Sequence, residues 1–81
     1  MASYTVDTKW NPEKVLAEGV AFFGPQNLGL EIKEQGAGCA TFEGGGGFVH
    51  LGSCQEKGKT RVNLETREWD YQVKAFMRKL V

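Results

Sequence analysis

The sequence predicts an α+β fold: a single domain in which five strands form one mainly antiparallel, curved sheet and both helices pack on one of its faces. Three observations lead there. Residues 12–23 and 67–80 place apolar side chains at helical spacing, with start or stop signals at their ends. Residues 3–8, 28–35, 38–43, 47–54 and 60–66 carry strand-like alternation and β-forming residues. Glycine-bearing turns separate the last four of these segments, so they follow one another as hairpins. The element order is β-α-β-β-β-β-α, and 81 residues suit one domain.

In "SYTVDT", residues 3–8, Tyr4 and Val6 point inward. Asn11 then suits an N-cap, Pro12 the first helical position and Glu13 the positive end of the helix dipole. Val15, Leu16, Val20 and Phe23 form the apolar stripe, and Gly24 followed by Pro25 stops the helix. Gly19 inside it costs about 1 kcal/mol relative to Ala, which points to a close packing contact. In "LGLEIKEQ", Leu28, Leu30 and Ile32 point one way and Glu31 and Lys33 the other. "TRVNLET" is the clearest strand, with Val62 and Leu64 inward and Arg61, Asn63 and Glu65 outward. Thr66 is placed to cap a last helix whose Trp69, Val73, Phe76, Met77 and Leu80 share one side. Arg78 and Lys79 fall in its last turn, where cations suit the dipole.

The run Gly44–Gly47 tests for phosphate binding. A phosphate loop needs a helix after it, because the helix N-terminus supplies the N–H donors. "FVHLGSC" follows instead, and it is strand-like. The run therefore predicts a mobile hairpin tip, turning at Gly45–Gly46. That turn sets Phe42 opposite Val49, Ala40 opposite Leu51, Thr41 opposite His50 and Cys39 opposite Gly52. A second turn at Lys57–Gly58 pairs Leu51 with Leu64, His50 with Glu65 and Cys54 with Arg61. A third, through Gln35–Gly36–Ala37, pairs Ile32 with Ala40, Leu30 with Phe42 and Lys33 with Cys39.

These registers agree on a buried side and leave a polar one. His50, Cys39, Cys54, Thr41, Glu65, Arg61 and Lys33 form its candidate surface site. Three chemistries are open to it. Lys33 beside Cys39, or Arg61 beside Cys54, favours a thiolate nucleophile, with His50 oriented by Glu65 as base. Cys39, Cys54 and His50 are three zinc-ligand types, but no C-x-x-C or H-x-x-x-H spacing accompanies them, so no metal is expected. As a bare mixed face, the same surface suits a protein partner or a second copy, and residues 28–34 form an exposed edge strand.

Composition narrows the classes. Ten basic residues balance ten acidic ones, so the excess expected of a nucleic-acid binder is absent. Neutrality removes a barrier to self-association. Two cysteines are too few for a disulfide scaffold, so reduced thiols are expected. The first ten residues lack the apolar stretch of a signal peptide, and no run approaches the length of a membrane span. A cytoplasmic chain without membrane insertion is expected.

In element order the chain resembles a single repeat of the TATA-binding-protein-like fold. It also resembles a shortened helix-grip domain of the START and Bet v1-like type, in which a curved sheet grips a C-terminal helix, here residues 67–80. The resemblance covers the whole chain in topology and rests on no sequence motif. The helix-grip likeness implies a small apolar ligand between helix and sheet, near Phe42, Leu64, Val73 and Met77. The TATA-binding likeness implies DNA on the open face, where Glu31, Glu43 and Glu65 would repel phosphate. The leading expectation is a small non-catalytic binding or interaction module, a homodimer through sheet face or edge. The alternative is an apolar-ligand carrier, and the third is a thiol-dependent enzyme. No cofactor is expected.

Overall fold

Short turns between consecutive strands force each new strand beside the last, and this sets the sheet. The computed structural model describes residues 1–81. It contains β1 (Ala2–Thr8), α1 (Pro12–Phe23), β2 (Glu31–Gly36), β3 (Cys39–Gly44), β4 (Gly47–Glu56), β5 (Lys59–Arg67) and α2 (Asp70–Leu80). The strands form one open sheet in the order β1-β5-β4-β3-β2. Every neighbouring pair is antiparallel, as the hairpin reading requires. α1 carries the chain from the β1 edge to the β2 edge and packs over β3 and β4, while α2 lies over β1 and β5. The α+β class, the element order and the placement of both helices on one face are as predicted.

The turns explain the register. Gly44 pairs with Gly47, and Gly45 and Gly46 both take positive φ, 58° and 80°. Two left-handed residues in a two-residue loop match the twist of the flanking strands. Lys57 and Gly58 repeat the arrangement at φ 46° and 82°. Phe42–Val49, Ala40–Leu51, Thr41–His50, Leu51–Leu64 and His50–Glu65 are all paired as the sequence predicts. Val49, Leu51, Val62, Leu64, Ala40 and Phe42 thus share the covered side and meet Val15, Phe23, Val73, Phe76 and Leu80 from the helices. Phe23 sits at the centre, its ring 5.2 Å from Phe76 and 5.5 Å from Phe42. The contact expected at Gly19 is with Leu51: a Cβ there would overlap its Cδ2.

Three expectations need correction. The β2–β3 turn is Ala37–Gly38, with Gly38 at φ 81°, and not Gln35–Gly36–Ala37. A two-residue turn there would by itself rotate Ile32 away from the helices. A β-bulge between Ile32 and Glu34 restores it: Ile32 pairs with Phe42, and Glu34 with Thr41. Second, α2 starts at Asp70 and not at residue 67. Thr66 does not cap it, because β5 continues to Arg67 and the buried Thr66 hydroxyl donates to the Phe48 carbonyl at 2.9 Å. Glu68, at φ 77°, makes the bend into the helix. Third, the glycine tip is held in place: Trp69 Nε1 donates to the Gly44 carbonyl at 3.0 Å, and its ring lies where a Gly45 Cβ would be 2.9 Å away.

Candidate functional site

With both helices on one side, alternate residues of every strand face outward on the other. They lie in rows across the sheet. One row runs Thr41, His50, Glu65, Ser3, and the next Cys39, Gly52, Asn63, Thr5. A third runs Cys54, Arg61, Asp7. Toward the glycine turn, Glu31, Glu43, Phe48 and Arg67 form a fourth. Cross-strand neighbours of this kind stand about 4.5–5.5 Å apart at Cβ.

The hydrogen bonds show how each side chain is engaged. Thr41 Oγ1 and His50 Nδ1 are 2.8 Å apart, and this half-buried pair holds the imidazole orientation. Glu65 is opposite His50 in register and makes no ion pair with it. Thr5 Oγ1 donates to Asn63 Oδ1 at 3.0 Å. Asp7 gathers Lys59 Nζ at 3.0 Å and Arg61 Nε at 3.2 Å. The hydrogen bond from Lys59, then that from Arg61, holds the Asp7 carboxyl below the usual carboxylate range. The same pairing, led by the Asp7 hydrogen bond, pushes the Arg61 guanidinium up. Arg61 also reaches Glu56 at 3.7 Å, so its charge is directed to carboxylates.

The cysteines are free and exposed. Cys39 faces Gly36 on one side and Gly52 on the other. Lys33 is not beside it, because the bulge moves Lys33 toward Thr41, and its ammonium pairs with Glu31 at 3.4 Å. Cys54 has only a weak contact to the Gln55 carbonyl at 4.0 Å, and no hydrogen bond joins either thiol to His50. No group of three or more His, Cys, Asp and Glu side chains converges on a common point.

Near the glycine turn the face forms a shallow depression of about 670 Å³, walled by Glu31, Lys33, Thr41, Glu43, His50 and Phe48 and closed by Arg67. Two anionic and two cationic side chains share it with one aromatic ring. Of the proposed apolar pocket, Phe42, Leu64 and Val73 are fully buried members of the core, and Met77 packs half-buried against it. None of the four lines any of the three main surface depressions.

Two features escape a sequence reading. Arg67 belongs to the strand face, and the signal was present, since the alternation of "TRVNLETR" runs one residue past Thr66. A second depression, of about 580 Å³, gathers Lys9, Trp10, Lys59 and Lys79 at the far end of β1. These lysines come from separate segments, so no local pattern announces them. Lys14 lies 4.5 Å from the centroid of the Trp10 ring and extends the basic patch. No helix is long and apolar enough to cross a membrane. No protein-family model and no curated protein matches the chain.

Proposed function

We propose that the chain is a non-catalytic interaction module that works through the exposed face and edges of its sheet, with a second copy of itself as partner. One observation supports this above the rest. The helices cover one side of the sheet except at its margins, where Tyr4, Val6 and Ile32 stay half-buried, while the other side and both edges carry no covering element. The bare side holds mixed charges, a hydrogen-bonded imidazole and one aromatic ring, in a depression too open to sequester a substrate. Such surfaces serve contact, where polar complementarity sets the partner. The acidic residues Glu31, Glu43 and Glu65 on this face disfavour a nucleic-acid partner. Two free thiols suit the reducing cytoplasm.

Sedimentation equilibrium from micromolar to millimolar protein tests the reading. The expected result is an average mass that rises with concentration toward twice the monomer. A monomer mass across the whole range would remove the proposal.

A further inference from the structure

The two edges of the sheet are unlike. β2 carries Glu31, Lys33 and Glu34 and is broken by a bulge, devices that discourage another strand from pairing. β1 has none of them. It pairs with β5 without interruption over seven residues, Ala2 to Thr8, and contains no Pro, Lys or Arg. Its one charge, Asp7, is already neutralised by Lys59 and Arg61. Its inward side chains Tyr4 and Val6 are only half-buried, although their partners Leu64 and Val62 are fully buried.

Building on the interaction-module reading, we propose that a second copy of this chain docks on β1, antiparallel, about a two-fold axis at Thr5, and so continues the sheet across both copies. Three features fit this occupant. In that register Thr5 meets Thr5, Ser3 meets Asp7 and Tyr4 meets Val6, so no like charges oppose and the half-buried Tyr4 and Val6 cover each other. Charge is complementary along the seam. α2 runs alongside β1, with Asp70 accepting from Tyr4 Oη at 2.9 Å and the Leu80 carbonyl accepting from Thr8 Oγ1 at 2.6 Å. The two-fold therefore turns the acidic start of one α2, Glu68 and Asp70, toward Lys74 and Arg78 of the other, which lie on the side of α2 where Lys74 sits over the Tyr4 ring. Finally, the exposed large apolar side chains Met1, Tyr71 and Val81 flank the two ends of β1, where the operation brings opposite ends together.

Disulfide trapping tests the geometry. Opposed residues of an antiparallel pair have Cα atoms about 4.5–5.5 Å apart, within disulfide reach. In a Cys39→Ser, Cys54→Ser background, Thr5→Cys should give a covalent dimer under oxidised glutathione, and Lys33→Cys on β2 should not. Thr5→Lys, which sets two ammonium groups at the axis, should weaken association severalfold. Glu68→Lys and Arg78→Glu should each weaken it, and the double exchange should restore it. Thr5, Glu68 and Arg78 are exposed, so circular dichroism should report intact folds. Concentration-dependent association without Thr5→Cys trapping, and indifferent to Thr5→Lys, overturns the β1 assignment and leaves the module reading standing. A monomer at every concentration removes both.

Discussion

The two sides of this sheet are made by the same five strands, residue by alternate residue, yet different physics governs them. On the covered side Ala40, Phe42, Val49, Leu51, Val62 and Leu64 are each at most 1 % exposed. There the shape of each side chain matters, because a close-packed interior answers to a single methylene. On the bare side Thr41 and His50 are half-buried, and Cys39, Asn63 and Glu65 are exposed. Stability there depends little on identity, so those positions can be chosen for contact. Core packing is thereby confined to one parity of the strands, and the contacts we propose would use the other.

Substitutions on the two sides should separate accordingly. Phe42→Ala should have the largest effect, about 3–5 kcal/mol, because it opens a cavity beside Phe23. Urea denaturation would read it, and a loss below about 1 kcal/mol would mean that the covered side is not a packed core. Thr66→Val keeps the shape but removes the hydroxyl bonded to the Phe48 carbonyl, and a loss of about 1–2 kcal/mol is expected in the same assay. His50→Ala on the bare side should cost only about 0.5 kcal/mol, since its bond to Thr41 is half-exposed. An effect as large as that of Phe42→Ala would break the contrast.

The smallest effect concerns acid. The folded-state pKa of Asp7 is lowered, so its stabilisation is present above about pH 4, the ordinary carboxylate value. It is lost as the pH falls through the lowered value, where the folded chain must take up the proton. Thermal melts taken from neutral to strongly acidic solution should show Asp7→Asn losing less stability than the parent on acidification. At neutral pH the parent should be the more stable by only a small margin, because exposed ion pairs contribute little, and the two should converge in acid. An identical acid limb in both would remove Asp7 as the source.

Much of the architecture was legible because turn chemistry and alternation agreed. Gly45–Gly46 and Lys57–Gly58 fixed two loops, and the apolar pairs on either side then left one register for β3, β4 and β5. The β2 bulge was easy to miss, because Leu28, Leu30 and Ile32 alternate cleanly and only the charged Glu34, at what would be an inward position, and the Ala37–Gly38 turn demand an extra residue. The start of α2 was hidden too, since Glu68 at positive φ is a position where glycine is the usual signal. The row Thr41, His50, Glu65 was readable from parity, whereas the Lys33–Cys39 neighbourhood failed with the register that produced it. The lysines around Trp10 meet only in the folded chain.

The contrast between the two edges is most directly open to amide hydrogen exchange, read strand by strand at low and high protein concentration. Central strands β4 and β5 should exchange slowly at both. Outward-facing amides of β1 should pass from fast to protected as concentration rises, while those of β2 stay fast. Equal, concentration-independent exchange at the two edges would contradict pairing through β1.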